Sequence, residues 1–290
     1  MDNVGYDLTT IAVSGAQGYL GSRVVNKLTE RGLDVLRLTH KDNAGNNIAC
    51  DLTNPDDVSN IFRKYNIECL IHCAEVVPKE IGQYDNEQLY IQNIEMLKNL
   101  VAQDIDRFVY CSSMTVYGND SRGIINESNK LNATGAYARS KIKCEEFLNK
   151  SQIKQLAIAR IPGLFGSGRT TGLIYNSIKA FVKKNMPSIG GHPHAWSAMH
   201  VEDGAEILVR MATFPLDKNI TCNIGYGMPQ SVYKLLNDLM ALMQIDELEI
   251  PRIDDNWLCL DINRQLKHFG CTPNNWYERL TQEIAVVKET

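Results

Sequence analysis

The chain carries little that would tie it to a membrane, a nucleic acid or a disulfide-stapled fold. No apolar run in its 290 residues approaches the ~18 needed to span a bilayer. The opening MDNVGYDLTT lacks the basic-then-apolar layout of a secretory leader, so a cytoplasmic protein with no membrane partner is expected. Positive charge is also scarce: 30 Lys and Arg against 34 Asp and Glu leave a net charge of −4, and no overall positive field exists to hold a nucleic-acid backbone. The eight cysteines form no CxxC pair and fall mostly within apolar stretches, which reads as reduced core residues. Cys69, His72 and Cys73 lie close together, as do His192 and His194, but a metal site needs three or four converging ligands and none is expected. Low-complexity segments and fixed-period repeats are absent.

Apolar surface, by contrast, is in ordinary supply. With 44% hydrophobic and 22% charged residues the chain can bury a sizeable core, unlike a disordered one. Short apolar runs alternate with stretches at helical period. Residues 9–14 (TTIAVS), 35–39, 48–51, 69–72, 107–112 and 155–160 read as six strands, and 19–31, 86–102 and 137–150 as helices. In the first helix Leu20, Val24, Val25 and Leu28 share a face. Thr53 or Asn54 can cap a further helix that has Pro55 in its first turn and two aspartates at its positive end. This rhythm predicts an α/β fold built on a doubly wound parallel sheet of the Rossmann type. After about Pro162 the pattern loosens, with four glycines in residues 163–172, and predicts a smaller mixed C-terminal substrate lobe. The expected division is 1–165 for the dinucleotide-binding domain, with 198–225 returning to it, and 166–197 plus 226–290 for the lobe.

Gly15, Gly18 and Gly21 in SGAQGYLG stand at GxxGxxG spacing between the first strand and the first helix. Missing β-carbons there let backbone approach a pyrophosphate lying on the helix's positive end, and Tyr19 and Leu20 belong to the same turn. Asp51, closing the third strand, offers an acceptor for an adenine amino group. Enzymes that use NAD often carry an acid at the end of the second strand, which would repel a 2′-phosphate. Here that strand ends Thr39-His40-Lys41, without a carboxylate and with a lysine, so NADP is expected, NAD remaining possible.

Tyr137 and Lys141 lie four residues apart at the start of a helix, downstream of Ser113 in YCSSMTVYG. One helical turn puts the lysine beside the tyrosine. A free tyrosine has a pKa of ~10, and acid/base work at neutral pH needs a shift of ~3 units or ~4 kcal/mol. A neighbouring ammonium, together with the positive ring of a nicotinamide, can supply it, while the Ser113 hydroxyl holds the same substrate oxygen. A second such pair, Tyr175 and Lys179, lies in the looser lobe and reads as an ordinary helix face.

Taken in order, SGAQGYLG, CDL (50–52), HCAE (72–75), SSMTVYG (112–118), YARSK (137–141), RIPGLFGSG (160–168), MHVEDGA (199–205), CNIG (222–225) and DINRQLKHFGCTPNNW (261–276) resemble the extended short-chain dehydrogenase/reductase family over nearly the whole chain. The resemblance implies an NAD(P)-dependent enzyme acting on a nucleotide-linked sugar. Tyr137 would be its acid/base, Lys141 would sit on the nicotinamide ribose and Ser113 on the substrate oxygen. Thr39, His40, Lys41, Asp51, Leu52, Cys73, Ala74, Glu75, Ile161 and Pro162 would complete the cofactor site. It also implies a homodimer formed through the helices 86–102 and 137–150.

Departures narrow the reaction. Family dehydratases place an Asp-Glu pair after the catalytic hydroxyl and decarboxylases a glutamate in that segment; Met114-Thr115 supplies neither. Where many members that bind UDP-sugars have an arginine before the motif histidine, this chain has Trp196, which leaves Trp196, Arg169 and Arg252 as substrate-binding candidates. The compact link between Thr39 and Asp51 favours a 4-keto-6-deoxy-sugar reductase. A nucleotide-sugar 4-epimerase is the alternative, and a regulatory subunit that binds NADP(H) without turnover is the alternative of another class. His200 reads either as a residue near the substrate lobe or as a structural histidine. Cys73 and Cys111 are given no catalytic role.

Overall fold

The computed structural model describes residues 10–41, 44–77, 85–189, 195–250 and 256–289; Thr9, His192, His194 and Arg252 lie outside them. The elements run β1 (Ile11–Ser14), α1 (Tyr19–Glu30), β2 (Val35–Thr39), β3 (Asn47–Ala49), α2 (Pro55–Tyr65), β4 (Cys69–His72), α3 (Glu87–Val101), β5 (Arg107–Ser113), β6 (Gly123–Ile125), α4 (Ala136–Asn149), β7 (Gln155–Ile161), β8 (Gly163–Phe165), α5 (Leu173–Val182), β9 (Ala198–His200), α6 (Val201–Thr213), β10 (Ile220–Asn223), α7 (Val232–Met243), β11 (Leu258–Leu260), α8 (Asn263–Phe269) and α9 (Trp276–Lys288).

Alternating side chains in the central strands face opposite ways, and each face needs a helical cover. Val13, Ile71, Val109 and Ala157 pack with Val24 and Leu28 of α1 and Leu208 and Met211 of α6. Ala12, Leu70, Phe108 and Ile158 pack on the other side with Phe62 of α2, Leu100 of α3 and Leu148 of α4. Apolar on both faces, the strands form a sheet in the order β3-β2-β1-β4-β5-β7-β10, every pairing parallel. The doubly wound expectation holds, with corrections. The sheet has seven strands rather than six, because β10 pairs with β7 at the edge, Ile220 opposite Ala157. The third strand ends at Ala49 rather than Asp51, since the Asp51 side chain turns back to its own neighbour Thr53.

Local signals fix several boundaries. Asn54 rather than Thr53 caps α2, accepting from the amides of Asp56 and Asp57, with Pro55 at the first position where no amide proton is needed. Outside the main sheet, β6 pairs with β11 and β8 with β9. The chain beyond β7 adds a third apolar cluster in which Phe165, Ile178, Phe181, Leu236, Leu239 and Leu280 join α5, α7 and α9. The eight cysteines are free thiols, and no described helix is long and apolar enough to cross a membrane.

Candidate active site

Because the strands of the sheet are all parallel, their carboxyl ends share one edge, and there the chain gathers almost all the expected residues. The glycine turn follows β1, Thr39 to Lys41 close β2, Asp51 and Leu52 follow β3, Cys73 to Glu75 follow β4, Ser113 ends β5, and Ile161 and Pro162 end β7. Such an edge is where open α/β sheets bind ligands.

The glycine turn is held tightly enough to explain two of its glycines. Gly15 has φ +67°, and a β-carbon there would stand 2.8 Å from the Ala74 nitrogen. A β-carbon on Gly21 would meet the Gly15 oxygen at 2.2 Å, so α1 could not start so close to β1. The start of α1 has neither a side-chain cap nor an acidic residue in its first turn, which leaves the positive end of the helix uncompensated. These residues therefore fit the pyrophosphate of a dinucleotide. The turn is tied to the second lobe by the Tyr19 hydroxyl, which donates to the Gly166 carbonyl at 2.9 Å.

At the adenosine end Thr39 is buried, and its carbonyl accepts from the Cys50 amide at 2.7 Å. His40 is exposed and its Nδ1 lies 3.8 Å from Asp51 Oδ1. The Thr53 hydroxyl donates to Asp51 at 2.7 Å and holds that carboxyl below the usual carboxylate range.

Ser113 caps the 3₁₀ turn Met114–Tyr117, its oxygen accepting from the Thr115 amide and from the Thr115 hydroxyl at 3.0 Å. Residues 126–135 then return the chain to the edge, where α4 begins with Tyr137 in its first turn. The Tyr137 hydroxyl lies near enough to Ser113 for the serine to favour its ionised form, and its ring leans on Tyr90 of α3 at 5.7 Å. Lys141 is buried, its Nζ 5.8 Å from the Tyr137 ring centre. The three residues picked by spacing meet.

Lys141 does act on Tyr137 in the expected direction, but it does not prevail by itself: burial, seconded by Glu75, keeps the phenol above its ordinary value, outweighing Lys141 and Ser113. The ammonium is paired with the Glu75 carboxylate, which raises Lys141 against the effect of burial. Glu75, expected at the cofactor, thus has its carboxylate engaged by the lysine and by Asn93.

Sequence reasoning missed a buried network behind the triad. Arg160 on β7 donates to both oxygens of Glu145 on α4, at 3.1 and 2.7 Å, and to the Tyr117 hydroxyl at 2.9 Å. The Ser112 hydroxyl adds a 2.5 Å bond to Glu145, and Tyr117 donates to Asn223 on β10 at 2.6 Å. This locks α4 to the ends of β5, β7 and β10. The available signal was a lone arginine inside the apolar strand QLAIARI.

His200 proves structural. Its Nδ1 accepts from the Glu202 amide at the start of α6, its ring meets Phe165 edge-on, and burial lowers its pKa to about 4. Trp196 and Arg169 line a cavity of about 160 Å³ in the second lobe, together with Glu283. The Trp196 indole fills the space beside Gly163, and Arg169 donates to the Leu164 carbonyl at 2.9 Å. A larger cavity of about 780 Å³, lined by Tyr226, Asp261 and Trp276, includes none of the triad. Tyr175 and Lys179 share a face of α5.

The profile of the NAD dependent epimerase/dehydratase family matches residues 11–225. A protein of Methanocaldococcus jannaschii provisionally named UDP-glucose 4-epimerase is 27% identical over 247 residues, 78% of this chain and 80% of the relative. UDP-glucose 4-epimerase 1 of Oryza sativa subsp. japonica is 31% identical over 163 residues, 48% of this chain and 46% of that enzyme. Among solved structures, UDP-glucose 4-epimerase of Thermotoga maritima, with UDP-glucose, superposes with TM-score 0.77 at 17% identity, covering 97% of this chain and 99% of the other. The Bordetella bronchiseptica enzyme WbmG, in complex with NAD, gives TM-score 0.80 at 14% identity, covering 100% and 96%. These two share the fold.

Proposed function

Since the chain belongs to the NAD dependent epimerase/dehydratase family, we propose that it is a nucleotide-sugar 4-epimerase whose acid/base residue is Tyr137. The observation that carries this reading is the meeting of Tyr137, Ser113 and Lys141 at the carboxyl edge of the sheet, beside a glycine turn shaped for a pyrophosphate. The glycine turn and the start of α1 would hold a dinucleotide, which when bound would supply reversible hydride transfer at the sugar carbon. Tyr137 removes the proton from the sugar hydroxyl and gives it back, and Ser113 keeps the oxygen within reach. Lys141 fixes the site through its contacts with α4, β5 and the β4 loop. The epimerase reading is supported over the reductase by the curated relatives, named as UDP-glucose 4-epimerases. Met114 and Thr115 leave dehydration and decarboxylation without the acids they use. The Asp51 carboxylate, kept ionised beside His40, favours NAD at the adenosine end.

A reductase of 4-keto-6-deoxy nucleotide sugars using NADPH is the second reading, favoured by exposed His40 and Lys41 at the end of β2. Incubating the protein with NAD or NADPH and with UDP-glucose, UDP-galactose, their N-acetyl analogues or a UDP-4-keto-6-deoxy sugar, while following the sugar by proton NMR and the nicotinamide by absorbance, separates the two. Interconversion of 4-epimers without net cofactor turnover is expected. Consumption of one NADPH per keto sugar would instead make the protein a reductase. The proposal extends to a two-fold homodimer through the outer faces of α3 and α4, which sedimentation equilibrium checks.

A further inference from the structure

Glu75 ends the HCAE segment where the loop after β4 meets α3 and α4, and both its oxygens are taken. Oε1 accepts from Asn93 Nδ2 at 3.1 Å, and Oε2 accepts from the Lys141 ammonium. Asn93 is itself anchored, 5% exposed, its Oδ1 accepting from the Val76 amide at 2.7 Å and its Nδ2 reaching the Val76 carbonyl at 3.2 Å. The carboxylate is therefore aimed at the lysine from a fixed frame. The ammonium places a second proton on the Cys111 carbonyl at 2.7 Å and lies 4.9 Å from the Tyr110 ring centre. An ammonium has three donors, so one at most is left for the Tyr137 hydroxyl or a ligand. The cation beside the phenol is not an isolated charge, because its counter-ion is built into the same pocket.

We propose that Glu75 is a positioning residue that sets the protonation of Tyr137: by holding and neutralising Lys141 it opposes the pull of the ammonium on the phenol, so that the proton Tyr137 takes from the sugar hydroxyl stays on it for return to the keto oxygen. The inference rests on the reading of Tyr137 as the acid/base group. The groups that face this phenol are Glu75 from the β4 loop, Tyr90 from α3, Tyr110 and Ser113 from β5, and Lys141 from α4, with Cys144 of α4 behind them against Tyr110. Glu75 supplies the negative charge among them and Lys141 the positive one. Their effects on the phenol are opposed, and burial adds to that of Glu75. Removing the carboxylate while keeping its shape leaves the ammonium acting alone on the phenol.

The test places 3,5-difluorotyrosine, a much more acidic phenol than tyrosine, at position 137 of the full chain and reads its titration by fluorine NMR without added ligand. In Glu75→Gln the midpoint is expected at least one pH unit lower than in the parent, an about tenfold gain in phenolate at a given pH. Glu75→Ser, which opens room for water at the ammonium, is expected to shift in the same direction and stands in should the Gln variant not fold. Glu75→Asp keeps the charge and is expected to titrate within a few tenths of a unit of the parent. Midpoints that stay with the parent in the Gln and Ser variants would overturn the proposal, as would an Asp variant that moves as far as Gln, the mark of a merely structural role. The fluorine signal is independent of turnover. A shifted midpoint in a protein that epimerises nothing would leave this inference standing and remove the proposed function.

Discussion

Removing the hydroxyl of Tyr137 while keeping its ring separates chemistry from packing, because the ring rests 5.7 Å from Tyr90 whereas the hydroxyl is the group that would exchange a proton with a sugar. Tyr137→Phe is expected to fold as the parent does and to lose about 10²–10⁴-fold in kcat, with a smaller change in KM. Steady-state kinetics beside a circular-dichroism spectrum check this, and unchanged turnover would remove Tyr137 as the acid/base group. The triad was readable from local spacing because each member sits at a junction that sequence marks: a strand end for Ser113, a helix start for Tyr137, one turn on for Lys141. The electrostatics were not. Glu75 and Lys141 are 66 residues apart in the chain, and no local pattern shows that two buried charges of opposite sign share a pocket. A rule that a lysine acidifies its neighbouring tyrosine holds for an unpaired ammonium, and here the ammonium has a partner.

Elements depend on residues that touch neither ligand nor solvent. Glu145 joins α4 to β7 through Arg160, and both side chains are buried, 4% and 6% exposed. Taking away one partner leaves an uncompensated charge in the interior, for which a loss of about 3–5 kcal/mol is usual. Glu145→Ala is therefore expected to lower the unfolding free energy measured in urea by that amount, and since α4 carries Tyr137 and Lys141, to lower activity in whatever fraction remains folded. At the other end of the site, Gly21→Ala would set a β-carbon against the Gly15 carbonyl and push α1 away from β1. Weaker binding of NAD, measured by calorimetry, is expected together with a stability loss of about 1–3 kcal/mol. The βαβ rhythm was legible because its periodicity is local. The paired short strands were not: β6 meets β11 and β8 meets β9 over three residues each, too few for a pattern, with partners far apart in the chain.

At the scale of the whole molecule, two buried histidines tie stability to pH. His72 bridges β4 to β1, its Nδ1 2.7 Å from the Ser14 hydroxyl, and burial, aided by the Lys141 charge, lowers its pKa to about 3. His200 starts α6 beside the second lobe with a pKa lowered to about 4, again chiefly by burial. In the unfolded chain both would titrate near ~6.5, so below that pH the unfolded state binds protons that the folded state refuses. The stabilisation is fully present above ~6.5 and is lost as pH falls toward 4, at up to about 1.4 kcal/mol per unit for each histidine. Between pH 7 and pH 5 the pair should remove roughly 4 kcal/mol from the unfolding free energy. Urea denaturation at several pH values checks the slope. His200→Asn, which keeps an acceptor for the Glu202 amide, should flatten it by about half relative to the parent. An unchanged slope would mean that His200 takes up its proton in the fold as readily as in the unfolded chain, and that a neutral imidazole does not cap α6.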